Sequence, residues 1–493
     1  MRCLWMCALA VSLAMAARAQ SPEKSEPNAN QPALTIYNAD FAVVRQTVPL
    51  DLKTGVNHVT FTDATAHIEP DSVILHDSTG RRSLQILEQN YRNDPVSQEL
   101  LLSLFEGKTI DFQTAPIAEN GKAKSLIVQG KIVRSGYVPQ GSSLQPIIEV
   151  NGHLQFSLPG EPLFPALGDD TILKPTLDWL METDKPGRGS ADLSYITGGM
   201  NWHADYNVVA PPKGDTLDLV GWVTMDNHSG KQFDHARIKL MAGDVNKIQN
   251  QTGSIALARD TNGSLEAAPP VTEKAFDEYH LYTLEHSTTL RDHETKQVEF
   301  ISAIGIKAQR FYVYNGTAVD ANQSYYTEEQ IRDDQNYGTE SNPKVWVMQE
   351  FKNSKENNLG IALPKGRLRF YRRGDDGQME FTGENTIDHT PKDETVRVQT
   401  GNAFDIVGER RRTDYKLDSS RDSLDESFEI KVRNHKKEAV EVRVVEKLYR
   451  WSTWEIQQKS DNYSKLDSRT VEFRVQIPPD GEKVVTYQVH YSW

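Results

Sequence analysis

A chain of 493 residues is longer than a single hydrophobic core usually organises, so two or three domains of roughly 100–200 residues each are expected. Its 55 Lys and Arg against 69 Asp and Glu give a net charge of −14. That is the wrong sign for a general nucleic-acid binder, whose affinity is built on cations facing phosphates.

Residues 1–19 read as a signal peptide. Arg2 supplies the charged start, Leu4 through Ala16 is apolar except for Ser12, and Ala17-Arg18-Ala19 before Gln20 is a small-x-small cleavage site. Both cysteines, Cys3 and Cys7, fall within it, so no disulfide, thiol nucleophile or thiolate metal site is expected in the mature chain. The apolar run is too short to span a bilayer comfortably, and no later stretch is long and uncharged enough. A periplasmic or extracellular protein without a transmembrane helix is therefore expected. Residues 20–33, rich in Ser, Pro, Glu and Asn, predict a disordered lead-in.

From residue 34 to 95, short β-favouring runs alternate with turn residues: Leu34 to Tyr37, Phe41 to Arg45, Val56 to Phe61, Ser72 to Leu75 and Leu84 to Leu87. Their spacing predicts part of an antiparallel sandwich. One helix follows, capped by Ser97, striped by Leu100, Leu101, Leu104 and Phe105, and closed by Gly107. The five strand-like runs after it, from Thr109 to Phe156, complete a small helix-plus-β-barrel insertion over 96–165.

The sandwich resumes over 175–246, where Leu193, Tyr195, Trp202, Tyr206, Val208, Leu217, Leu219, Val223 and Met225 fall mostly at period two within their segments. Residues 247–272, with Gly253, Asn262-Gly263 and Pro269-Pro270, read as a linker. A C-terminal sandwich is expected over 273–493. Its clearest strands are Phe428 to Val432, Val440 to Val444, Val471 to Ile477 and Val485 to Tyr491, each with one apolar and one polar face. Asp320 to Pro343 looks loose and acidic, with no apolar face to bury. The fold class is thus mainly β: multi-domain antiparallel β-sandwiches with a small helix-plus-β-barrel insertion.

Several segments together resemble an uncharacterised bacterial family, domain of unknown function 4139, whose C-terminal half is shared with mucoidy-inhibitor-A-like proteins. They are Ile36-Tyr37 with Val43-Val44-Arg45, the run from Leu193 to Trp202 with Asp205-Tyr206, Leu219 to Trp222 with Asp226-Asn227, Leu240 to Asn246, and Thr295 to Val298. The likeness covers about Leu34 to Trp493. It implies an exported bacterial β-protein and brings no established reaction, cofactor or catalytic residue. The long coiled coil of the mucoidy-inhibitor-like relatives is missing, and the small barrel stands in its place.

Candidate chemistry is sparse. Trp202, His203 and Asp205 form the best surface-site candidate, with Trp202 and Tyr206 expected to serve the core and His203 a solvated face. His280, Glu285, His286, Asp292, His293 and Glu294 cluster in sequence but lack the i, i+4 or i, i+2 histidine spacing of a metal site, so no metal is expected. Gly168-Asp169-Asp170 and Gly374-Asp375-Asp376-Gly377 pair carboxylates as an acid–base hydrolase would, but both follow a turn glycine. No Gly-x-Ser-x-Gly and no phosphate-cradling loop occurs, so no catalytic residue and no cofactor is assigned. Arg410-Arg411-Arg412, between Asp405, Glu409 and Asp414, reads as a solvated strand edge or loop. Tyr449, Trp451 and Trp454 could form a stacking patch only if they share a face.

The expected role is a non-catalytic binding or structural module of the envelope or secreted fraction, its partner an envelope protein or a carbohydrate. Two alternatives stand beside it. One is a periplasmic carboxylate-dependent hydrolase. The other is an outer-membrane-associated β-protein, suggested by the alternation of Val485, Tyr487, Val489, Tyr491 and Trp493 up to the last residue.

Overall fold

The computed structural model describes residues 31–94, 96–115, 117–119, 122–138, 141–165, 172–243, 245, 247, 271–276, 279–317 and 327–493. The expected leader, the start of the lead-in, most of the linker and Gly168-Asp169-Asp170 lie outside them. Strands make up 61% of the described residues and helices 4%, which places the protein in the mainly β class. No helix among the described residues is long and apolar enough to cross a membrane.

The first sheet runs in the order Val271–Phe276, Tyr279–Leu284, Phe233–Ala242, Ala33–Tyr37, Phe41–Leu52, Gly187–Gly198 and Ile74–Asp77, with Thr288–Leu290 added beside Phe233–Ala242. Ala33–Tyr37 lies parallel to Phe233–Ala242 and antiparallel to Phe41–Leu52, so this strand is clamped between elements some 190 residues apart. A three-stranded sheet, Gly55–Phe61, Thr176–Thr183 and Leu84–Arg92, buries Leu177, Trp179 and Met181 in the same core. The strands after the expected linker pair back to this first sheet, across the position where the sequence places the second domain.

A 13-stranded sheet continues the molecule. Two of its strands are unusually long, Glu294–Tyr314 and Thr395–Leu417. The first half of Glu294–Tyr314 pairs with Thr216–Asn227 and its second half with Lys344–Lys352. Thr395–Leu417 likewise pairs first with Lys344–Lys352 and then with Ser423–Asn434. Unbroken backbone thus carries the chain from the larger core into a second core, built around Phe428, Ile430, Val442, Phe473, Val485, Tyr487, Val489 and Tyr491. The terminal strand, Glu482–Ser492, packs these alternating residues in one cluster with Val440–Lys447 and Thr470–Ile477, strands connected to it through the same 13-stranded sheet.

The insertion contains the expected helix, Gln98–Leu104, with Ser97 Oγ accepting from the Leu100 amide at 3.1 Å. Its inward residue is Leu102, at 1% exposure, whereas Leu104 points outward. The expected stripe of Leu100, Leu101, Leu104 and Phe105 holds at Phe105, which packs against the same core, and is corrected at Leu104, whose place is taken by Leu102. Five strands pair in the order His153–Gln155, Ile147–Val150, Ile127–Arg134, Thr109–Gln113 and Glu161–Leu163, an open order rather than the expected closed barrel, with two of the expected runs merged in Ile127–Arg134 and Glu161–Leu163 supplying the fifth strand. The core of this sheet is Ile110, Phe112, Ile132 and Ile148.

One device recurs at strand ends. Asn227, Asn353 and Asn434 are fully buried, and each donates from Nδ2 to backbone carbonyls on two other segments. Asn227 and Asn434 share an identical local pattern: Oδ1 accepts the amide two residues on, and Nδ2 reaches the carbonyl four residues on. A short amide side chain satisfies a corner's backbone groups where no ladder can. The Asp320 to Pro343 stretch also departs from expectation, since Glu328–Asp333 is a helix with a capping box between Thr327 and Gln330, and Tyr337 is buried.

Candidate functional site

Alternation along Met200–Ala210 sends Trp202, Ala204, Tyr206 and Val208 into the core. Trp202 is a core residue, its indole donating to Met241 O at 3.1 Å and its ring tilted against Tyr282. His203 is half exposed, with Nε2 3.1 Å from Asp205 Oδ2. Asp205 is covered by its partners: Arg367 Nε at 3.4 Å and Arg369 Nη1 at 3.3 Å meet Oδ1, and Thr224 Oγ1 donates to Oδ2 at 3.3 Å. The two arginines come from Gly366–Arg373, which lies parallel to Met200–Ala210. Their i, i+2 spacing puts both on one face, a signal legible in sequence, but only the pairing reveals that Asp205 is their partner. With two guanidiniums, an imidazole and a hydroxyl around it, this carboxylate is an anchor for a charged surface.

The histidine-rich stretch forms pairs. His280 Nδ1 lies 2.6 Å from Glu273 Oε1, His293 Nδ1 lies 2.9 Å from Asp292 Oδ2, and Glu294 faces Arg291 and Lys296. No group of three or more His, Cys, Asp or Glu side chains among the described residues is placed to hold a metal ion. Asp376 closes a turn by accepting from the Gln378 amide. Trp451 meets Trp493 edge to face, and Trp454 donates to Ser468 O, both packing at the margin of the C-terminal core.

A second polar centre lies inside the C-terminal sandwich. Arg410 Nε reaches both oxygens of Glu446, at 3.1 and 2.9 Å, and its guanidinium lies 4.0 Å from the Phe428 ring centroid. Tyr487 donates to the same carboxylate at 2.6 Å. Arg450 holds Glu426 at 2.9 Å and donates to the carbonyls of Ile331, Asp334 and Tyr337, while Arg412 Nη1 joins Glu426 at 3.1 Å. Burial works against the Arg410 charge, yet Glu446 and the surrounding tyrosines hold its pKa well above the ordinary value. The expectation of a solvated Arg410-Arg411-Arg412 is corrected here: Arg410 is sealed in the interior and Arg412 is largely covered, whereas Arg411 is exposed. A strand sends successive residues to opposite faces, so like neighbours in sequence meet opposite environments.

A third centre was absent from the sequence reading. A cleft of about 820 Å³ lies between the first sheet and the start of the three-stranded one, lined by Gln46, Phe61, Asp63, Lys174, Lys231 and Phe233 among others. Lys231 is 8% exposed. The turn before it is built by Asn227, which gathers Ser229 and the Lys231 carbonyl. Gly230 completes the turn at φ 77°, where an added Cβ would stand 2.5 Å from that of Ala66. Lys231 Nζ donates to Asp63 O and Asp63 Oδ2, both at 2.5 Å, and to Gln46 Oε1 at 3.0 Å, with the Phe61 and Phe233 rings beside it. Burial pushes the Lys231 ammonium below the usual lysine range, against the opposing pull of Asp63. At the other end of the Gln46 amide, Nε2 is buried without an acceptor, a loss of about 1–3 kcal/mol for such a group. No motif marks this trio, because its members are separated by up to 185 residues.

No family model, no curated protein and no solved structure matches this chain.

Proposed function

We propose that the chain is an exported bacterial envelope or secreted protein of the domain of unknown function 4139 family, working as a non-catalytic binding or structural module. The observation carrying this reading is the state of its buried carboxylates. Asp205, Glu426 and Glu446 are each occupied by arginine, an arrangement that fixes a scaffold. A glycosidase-type acid–base pair instead has two carboxyl groups flanking an open substrate position. Continuous strands shared between the two cores support the same reading, since they present the outer face around His203, Arg367 and Arg369 on a stiff frame. The partner in this reading is an envelope protein or a carbohydrate. Screening the purified protein against peptidoglycan and glycans tests it: saturable binding without turnover is expected. Turnover abolished by changing one carboxylate would replace it with the hydrolase. Recovery only from detergent-solubilised outer membrane would replace it with the membrane-associated alternative.

A further inference from the structure

We propose that Lys231 and Gln46 are the two halves of an intramolecular amide cross-link, formed with Asp63 as the proton acceptor. The required groups converge: an amine nucleophile, a carboxamide whose oxygen is 3.0 Å from it, and a carboxylate oxygen 2.5 Å from the same nitrogen. Two aromatic rings flank the amine and exclude water from one side. Holding an amine and an acyl group at near-contact distance supplies the proximity that amide exchange lacks in free solution, and desolvation favours the neutral, nucleophilic form of a lysine.

The step balances without an oxidant or co-reactant. One proton passes from the Lys231 ammonium to Asp63 Oδ2, and the neutral amine attacks Gln46 Cδ. The Nζ–Cδ bond forms and the Cδ–Nε2 bond breaks. The two protons lost from Nζ are those that convert the departing amino group into ammonium. Asp63 is suited to relay them, because its carboxylate is 57% exposed and opens to solvent. Gln46 is the electrophile because its carboxamide is neutral as it stands, whereas a carboxylate oxygen has to be protonated before it can leave. Gln46 Nε2, which makes no hydrogen bond, gives up none on departure. The product ties strand Phe41–Leu52 to the turn that opens Phe233–Ala242, a covalent staple in a mature chain whose expected processing removes both cysteines.

Peptide mapping of the folded full chain by mass spectrometry tests the assignment. Tryptic digestion should yield peptide 46–53 joined to peptide 214–237, uncut after Lys231, at about 17 Da below the sum of the two as one ammonia is lost. Locating the link matters, since cyclisation of an N-terminal glutamine removes the same mass. Lys231→Arg should release peptide 46–53 in linear form and restore tryptic cleavage after residue 231, and Asp63→Asn should lower the cross-linked fraction while the circular dichroism spectrum is kept. Peptide 46–53 recovered wholly linear from the folded wild-type chain would overturn the proposal. A link at Asp63 with loss of about 18 Da, the mass of water, would overturn the choice of Gln46. An undiminished linked fraction in Asp63→Asn would remove Asp63 from the step.

Discussion

Two cation–carboxylate pairs in this molecule are built to opposite ends. Arg410 and Glu446 are both at 0% side-chain exposure, joined through two oxygens and supported by Tyr487. Lys231 is nearly as hidden, but its Asp63 partner stands 57% exposed at the mouth of a cleft. A guanidinium does not give up its proton under ordinary conditions and matches a carboxylate with a rigid fork, so burial turns it into a fixture. An ammonium is a compact charge that loses its proton when desolvated, so the same burial turns it into a reactive group. The choice of cation separates a structural pair from a chemical one.

The sharpest way to break this comparison is to strip Arg410 of its partner. Glu446→Ala leaves an uncompensated buried cation and should cost about 3–5 kcal/mol in urea unfolding followed by near-ultraviolet circular dichroism. A loss below about 1 kcal/mol would show that water reaches the pair. The segment that covers this centre offers a smaller lever. Gly338 sits at φ 69° with the Tyr449 ring against it, 2.0 Å from where a Cβ would be, and its carbonyl accepts from Arg410 and Tyr449. Gly338→Ala should cost about 1–3 kcal/mol and speed hydrogen exchange of the amides from 327 to 338. Unchanged exchange there would mean that the segment is held by other contacts.

Smaller still, Thr327→Ala removes half of the capping box with Gln330 and should cost about 1 kcal/mol, read as faster exchange confined to Glu328–Asp333. Arg411, one residue from Arg410, is 65% exposed and pairs with Glu429 at 3.0 Å. Arg411→Ala should change stability by no more than about 0.5 kcal/mol. A larger effect would indicate that exposure is a poor guide to the worth of these pairs.

Sequence and structure agree where the governing interaction is local. Val440, Val442 and Val444, like Val485, Tyr487, Val489 and Tyr491, needed only period two to be assigned a face, and Ser97 needed only its own next turn to be read as a cap. Trp202 and His203 were legible for the same reason. What stayed hidden depends on register between distant segments. Nothing near Asp205 announces Arg367 and Arg369, and nothing in the charged run around Arg410 shows that Glu446 lies across the sandwich from it. The Glu328–Asp333 helix escaped because its capping pair was outweighed by an acidic, polar composition. Gln46, Asp63 and Lys231 carry no motif, and only the fold makes them neighbours.

A double-mutant cycle across Arg410 and Glu446, run beside one across Arg411 and Glu429, tests most directly the claim that burial sets the role of each pair. With Ala at each position, a coupling of about 3 kcal/mol or more is expected for the first pair, and no more than about 1 kcal/mol for the second. Couplings of equal size would contradict the account, because two adjacent arginines on one strand would then contribute alike in different solvents.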